Sequence, residues 1–294
     1  CTYTQMLNKN GGIETDLSVV CIDKNYFRII SSAETRERDK FHIKKHLSDG
    51  IELNDVTDDY CVLGLFGPKS RELLSNISDG DFSNEKFKFG TAKNINVDGV
   101  IIWAQRLSYV GELGFELYVK TIESKKLYEL LIKKGKDYNI TNCGTHSMDI
   151  MRMESGFLHW GHDISPEENQ YQAGLNFTIS FKKDVDFIGR DSLLKAKDQK
   201  FTKRFIMLSL KENIPGRPLL LHDEPIYLDN KIIGRTTSGN YSFNYNKNLS
   251  FGYIEVDLSN AELQSKNLFI EIAKIKYPAV IEITPLKDKN IRLN

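Results

Sequence analysis

The residues of this chain best suited to chemistry are acids set in unusual company. Glu112 stands between two glycines, in Gly111-Glu112-Leu113-Gly114, at the middle of the stretch RLSYVGELGFELYV over residues 106–119. Glycine on either side lets the backbone take φ > 0 or approach a ligand closely, and no Lys or Arg adjoins the carboxylate. Such an acid is either a solvated turn residue or a ligand contact. Asp16 lies in a β-prone run between Thr15 and Leu17, with Val19 and Val20 beyond. Acids are depleted in strand interiors, so Asp16 is either on a solvent face or functional. Further on, residues 147–154 (SMDIMRME) are helical by pattern and set Asp149 and Arg152 three apart. That spacing predicts a surface ion pair worth roughly 0.2–0.5 kcal/mol. The next segment, 156–164 (GFLHWGHDI), is aromatic and polar at once, and its His159 and His162 have no third ligand at metal spacing.

The elements around these residues read as follows. Residues 3–7 and 13–22 form two strands joined by an Asn- and Gly-rich turn at 8–12, a hairpin that carries Asp16 on its second strand. Another strand is predicted over 26–31 and a charged helix over 33–47. A buried-type strand over 60–67 (YCVLGLFG) ends at Gly67-Pro68, where proline suits the first turn of a helix running to 74. Strands over 91–105 lead into Glu112, which the glycines predict to sit at the tip of a tight turn before the strand 115–119. An amphipathic helix follows over 122–135, and 187–191 (FIGRD) open another that runs to 197. This mixed order suggests an α+β unit with largely antiparallel sheets. From 205 onward short strands at 205–210, 225–228 (closed by an Asp229-Asn230 turn), 231–236, 249–256, 268–272 and 280–283 alternate with turn residues, as in an all-β barrel or jelly roll, and KDQKFTKR at 197–204 is the natural linker.

With 294 residues the chain can build large cores without staples. Its 40 basic and 40 acidic residues cancel, which argues against nucleic acid or an anionic membrane as the main partner and for a small ligand. Cys1, Cys21, Cys61 and Cys143 are scattered, with no CxxC pair, as in a reducing compartment and not a zinc site. No apolar run approaches the length of a membrane span. The opening Cys1-Thr2-Tyr3-Thr4 is already strand-like and has no initiator Met or targeting segment, which suggests residues upstream. The expected location is the cytoplasm, or the mitochondrial matrix in a eukaryote.

Several stretches together resemble the folate-dependent aminomethyltransferases, the family of the glycine-cleavage T-protein and of the C-terminal halves of sarcosine and dimethylglycine dehydrogenases. They are YTQMLNKNGGIETDL (3–17), LGLFGPKS (63–70), RLSYVGELGFEL, MRMESGFLHWGHDI (151–164), AGLNFTISFKK (173–183), FIGRDSLL (187–194) and GRTTSGNYSF (234–243). Leu113 after the glutamate, and DFSNEKFKF at 81–89, are more similar to the dehydrogenase branch, sarcosine dehydrogenase in particular. The resemblance implies folate-binding modules over 1–197, with an incomplete start, and a C-terminal β-barrel over 201–294. It implies tetrahydrofolate as the cofactor and catalytic roles for Asp16, near the folate nitrogens, and Tyr3, which would orient it. It gives Glu112 the amino edge of the pterin, a fit that makes chemical sense because a carboxylate can accept two parallel N–H bonds there. Tyr109, Arg152, Glu154 and Trp160 are further implied cofactor contacts, although the family's folate-contacting arginine falls on Met148 here.

The implied reaction is transfer of a methylene group, from an iminium or aminomethyl species derived from an N-methylated glycine, to give 5,10-methylenetetrahydrofolate. In the dehydrogenase branch FAD forms that species in an upstream domain, and no GxGxxG fingerprint occurs in these residues. The expectation is the folate half of a larger flavoprotein, with the flavin domain as its partner. Two alternatives remain: a free-standing T-protein, and a folate-binding protein without transferase activity. Relatives of the latter kind carry a KGCYxGQE-type motif, and Asp186 stands here where its cysteine would fall.

Overall fold

The computed structural model describes residues 1–293. In chain order the strands and helices are β1 (Thr2–Leu7), β2 (Ile13–Asp23), β3 (Tyr26–Ile30), α1 (Arg36–Lys45), β4 (Tyr60–Phe66), α2 (Ser70–Ile77), β5 (Ala92–Val97), β6 (Val100–Gln105), β7 (Gly114–Lys120), α3 (Ser124–Gly135) and α4 (Thr145–Glu154). They continue with α5 (Arg190–Ala196), β8 (Lys203–Leu210), β9 (Pro225–Leu228), β10 (Lys231–Ser242), β11 (Lys247–Glu255), α6 (Asn260–Gln264), β12 (Leu268–Ile272) and β13 (Ile275–Glu282). The chain divides into two compact units: one of 1–2, 18–148 and 288–294, the other of 3–17 and 149–287.

The first unit is built on an antiparallel sheet in the order β4-β7-β6-β5. Period-2 alternation sorts its residues. On β7, Phe115, Leu117 and Val119 go to a core shared with Leu73 and Leu74 of α2 and with Leu127 and Leu131 of α3. Glu116 and Tyr118 therefore lie on the opposite face, with their cross-strand neighbours Gln105 and Trp103 of β6 and Gly64 and Val62 of β4. The connection from β6 to β7 is not the tight turn that the glycines of 111–114 predict. It is an eight-residue loop, 106–113, because buried Arg106 anchors its start: one guanidinium nitrogen donates to the Phe87 carbonyl and the other to the Leu293 carbonyl, each at 2.6 Å.

The second unit contains the hairpin and the barrel. At the hairpin turn the Asn8 side-chain oxygen accepts from the amides of Asn10 (2.9 Å) and Gly12 (3.0 Å), the self-bonded turn that Asn favours. Gly12 has no room for more: a Cβ there would lie 1.9 Å from the Pro166 carbonyl oxygen. The barrel closes in the order β10-β11-β8-β13-β12-β9. Ile206, Leu208 and Leu210 of β8 point inward with Ile226, Ile254, Leu268, Ile270 and Ile281. On the outside of the barrel, Met207, Leu249 and Phe251 join a second core with Leu7 and Ile13 of the hairpin, Ile150 and Met153 of α4, and Leu193 of α5.

Candidate functional site

Asp16 and Tyr3 lie together in the second unit, on paired strands of the hairpin. Tyr3 and Gln5 alternate onto one face of β1, and the Gln5 amide nitrogen donates to Asp16 Oδ1 at 2.9 Å. Thr178, at the end of the 3-10 turn Asn176–Thr178, holds the other end of that amide, with its Oγ1 2.6 Å from Gln5 Oε1. Asp16 is half-buried. Burial raises its pKa from 3.8 to about 6, against the opposing pull of hydrogen bonds from Gln5 and Tyr3. A carboxyl so tuned is largely ionised at neutral pH and is a stronger base than an ordinary aspartate, the property that suits proton transfer.

Arg152, Glu154 and Trp160 also belong to the second unit, where the fold itself occupies them. Arg152 is not the surface residue that its i,i+3 spacing predicts; it is 1% exposed. Its Nε donates to Asp149 Oδ1 at 2.9 Å, one terminal nitrogen to the Phe157 carbonyl (3.0 Å) and to Asp163 Oδ2 (2.5 Å), and the other to Ser238 Oγ (2.8 Å). Burying the guanidinium demands such saturation, and Asp163, 1% exposed, supplies the balancing charge. Glu154, fully buried, accepts from Ser242 Oγ (2.7 Å) and Asn244 Nδ2 (2.9 Å) and faces Lys287 Nζ at 3.5 Å. Trp160 donates its indole N–H to the Ile13 carbonyl at 3.0 Å, which pins the start of the strand bearing Asp16. In this structure all three side chains brace the hairpin, α4 and the barrel.

Glu112 and Tyr109 are in the loop 106–113 of the first unit, half-buried, with Gly111 at φ 71°. The structure draws attention to a neighbouring acid that the sequence reading passed over. Glu116 lies four residues on, on the sheet face opposite α2 and α3, where Tyr118 Oη donates to it at 2.8 Å. Burial raises the pKa of Glu116, and burial and the adjacent Glu116 raise that of Tyr118. Around them are orphaned buried polar groups. Among the described residues, neither amide atom of Gln105, nor Trp103 Nε1, nor one terminal nitrogen of Arg28 has a hydrogen-bond partner. The Arg28 guanidinium lies 5.2 Å from the Tyr60 ring centroid and 5.3 Å from that of Trp103. Arg28, Tyr60, Val62 and Tyr118 line a cleft of about 380 Å³ within this unit. The signal was present in GFELYV, whose alternation separates Glu116 and Tyr118 from the core-facing Phe115, Leu117 and Val119.

Among the described residues no group of three or more His, Cys, Asp or Glu is placed to hold a metal ion, and no helix is long and apolar enough to cross a membrane.

Comparison with known proteins supplies the context. The family model of the GCVT N-terminal domain matches residues 1–183, and that of the glycine cleavage T-protein C-terminal barrel domain matches 203–288. Human mitochondrial dimethylglycine dehydrogenase is 32% identical over 286 residues, covering 96% of this chain and 32% of the relative. Mouse mitochondrial sarcosine dehydrogenase is 31% identical over 268 residues, covering 86% of this chain and 29% of its own. An aminomethyltransferase of Alkaliphilus metalliredigens is 29% identical over 262 residues, covering 89% of this chain and 69% of its own. The chain thus spans about a third of the length of the dehydrogenases. The crystal structure of glycine cleavage system aminomethyltransferase T from Bartonella henselae superposes with a TM-score of 0.82 at 21% identity, covering 98% of this chain and 76% of that one, so the fold is shared.

Proposed function

Since the chain belongs to the glycine-cleavage T-protein family, we propose that it is a tetrahydrofolate-dependent aminomethyltransferase domain that forms 5,10-methylenetetrahydrofolate from an iminium or aminomethyl donor. The observation that carries this reading is the Asp16 carboxyl, poised near pKa 6 between Tyr3 and Gln5. Bound tetrahydrofolate supplies the two nitrogens that take up the one-carbon unit. Asp16 accepts the proton released as a carbon–nitrogen bond forms and sets negative charge beside the developing cation, while Tyr3 holds the carboxyl in orientation. Glu112, with Tyr109, is proposed to grip the amino edge of the pterin, where a carboxylate can accept two parallel N–H bonds. The folate-binding portion is taken to run over 1–197 and the barrel from 201.

The donor is proposed to arise from an N-methylated glycine oxidised by a flavin domain, because dimethylglycine and sarcosine dehydrogenases are among the relatives. A second reading, a free-standing aminomethyltransferase, is favoured by the larger share of the Alkaliphilus aminomethyltransferase that the chain covers.

The test is Asp16→Asn, which keeps the shape and removes the charge and the base. If Asp16 acts on charge that develops in the transition state, tetrahydrofolate affinity stays within about threefold while methylenetetrahydrofolate formation falls by about 10²-fold or more. Formaldehyde serves as the donor, with its unaided condensation subtracted. A rate within twofold of the parent would remove Asp16 from the mechanism. Loss of binding in step with rate would make it a ligand anchor.

A further inference from the structure

We propose that Gln5 and Thr178 are positioning residues for Asp16, forming a hydrogen-bond relay that pairs this carboxyl in both of its protonation states. The inference rests on the reading of Asp16 as the base and adds how the fold lets it work as one.

The three side chains form a line inside the second unit. Asp16 Oδ1 is 2.9 Å from Gln5 Nε2, Gln5 Oε1 is 2.6 Å from Thr178 Oγ1, and Thr178 Oγ1 is also 2.7 Å from the Leu175 carbonyl oxygen. A threonine hydroxyl has one proton to give and lone pairs to receive another, whereas a carboxamide has a donor end and an acceptor end of nearly equal size. With Asp16 ionised, the Gln5 NH₂ donates to the carboxylate and Thr178 donates to the Gln5 carbonyl. With Asp16 protonated, the amide turned end for end keeps the line paired, although its bond to the neutral acid is weaker than the charge-assisted bond to the carboxylate. Gln5 Oε1 then accepts the acid proton, its NH₂ donates to Thr178 Oγ1, and Thr178 passes its own proton to the Leu175 carbonyl. Each link of the line has a donor facing an acceptor in either arrangement.

This matters because Gln5 is only 9% exposed. A buried base partnered by a fixed donor would lose a hydrogen bond each time it took up a proton. An amphoteric partner backed by a second amphoteric group avoids that loss, so the carboxyl can accept a proton during the reaction and return it afterwards at little cost. The groups acting on Asp16 are Tyr3 and Gln5 of β1 and, through Gln5, Thr178 of the 3-10 turn. No charged side chain contributes to its ionisation among the described residues. Glu14, two positions away on β2, is engaged by the Asn8 amide at 3.1 Å.

The experiment follows the Asp16 carboxyl by carbon NMR in the whole chain labelled with ¹³C-aspartate, alongside the pH profile of methylenetetrahydrofolate formation. Gln5→Leu removes a donor from the ionised form and is expected to raise the Asp16 midpoint from about 6 by roughly one pH unit or more. The acid limb of the rate profile, where the rate rises as the base ionises, should move with it, with tetrahydrofolate affinity at pH 8 within about threefold. Thr178→Val should give a smaller shift in the same direction, and Thr178→Ser should restore the parental profile. A midpoint unmoved in both Gln5→Leu and Thr178→Val would overturn the relay. If the midpoint moves and the rate profile does not, the relay stands and the role of Asp16 as base fails. Should Gln5→Leu not fold, the Thr178 pair decides alone.

Discussion

Glu112 and Glu116 are four residues apart and share a charge, yet the fold treats them differently. Glu116 is on a central strand, its carboxyl receives the Tyr118 hydroxyl at 2.8 Å, and burial raises its pKa. Glu112 is on a loop. If Glu112 anchors the pterin, Glu112→Gln turns one acceptor oxygen into a donor facing the ligand's N–H groups. The expected cost is about 1.5–3 kcal/mol, ten- to a hundredfold in tetrahydrofolate affinity by calorimetry. Glu116→Gln, whose carboxyl is already engaged by Tyr118, should cost less than about tenfold, and a ranking in the opposite order would make the strand acid the anchor. Asp16 carries a second consequence, for stability. Folding raises its pKa from 3.8 to about 6, so its contribution is fully present below pH 3.8 and is lost as the pH rises through 6. Asp16→Asn, which cannot ionise, is therefore expected to melt at a higher temperature than the parent at pH 8, with the two converging near pH 4. Equal melting temperatures at pH 8 would mean that the fold bears no cost for keeping this base.

At the scale of elements, the hairpin around Asp16 is held by backbone fit as much as by side chains. A methyl at Gly12 would collide with the Pro166 carbonyl, a main-chain atom that cannot step aside as a flexible side chain can. Gly12→Ala should accordingly destabilise the chain by roughly 1–3 kcal/mol or more, read as a lower denaturant midpoint. Gly144→Ala, with open space around the new methyl, should leave the midpoint within about 0.5 kcal/mol of the parent. Elements of this kind were legible in the sequence because local chemistry writes them. The turn at 8–12, the strand 225–228 with its Asp229-Asn230 turn, and the helix ending at Glu154 all stand close to where the pattern places them. What was not legible depends on distant partners. The spacing of Asp149 and Arg152 looks the same wet or buried, and only Asp163, Phe157 and Ser238, brought in by the fold, show that the pair is internal. Likewise, β10 runs on to Ser242, past the predicted end at 236, because β11 pairs with it beyond an irregularity between Thr236 and Ser238. The loop at 106–113 replaced a predicted turn for a similar reason, the burial of Arg106. Asp16 was legible as an acid out of place in a strand, but its partner Thr178, far along the chain, was not.

For the molecule as a whole, the relation to proteins three times its length bears on what these 294 residues can do by themselves. Oxidising an N-methyl amine requires an electron acceptor, and the dinucleotide fingerprint GxGxxG is absent from the sequence. On the proposed reading the chain contributes a proton acceptor at Asp16, whose pKa burial raises to about 6, which suits taking up a one-carbon unit. The purified chain should therefore be colourless and should not reduce an artificial electron acceptor in the presence of sarcosine or dimethylglycine. It should bind tetrahydrofolate and be stabilised by it, with a melting temperature that rises with ligand concentration as mass action requires. Adding a flavin-dependent dehydrogenase domain that oxidises these amines should then raise the yield of methylenetetrahydrofolate at the expense of formaldehyde, and the gain should disappear in Asp16→Asn. Flavin absorbance in stoichiometric amount would show that the chain holds an oxidising cofactor after all. Product formed instead only from a carrier-bound aminomethyl group would move the protein from the dehydrogenase branch to the free-standing aminomethyltransferases.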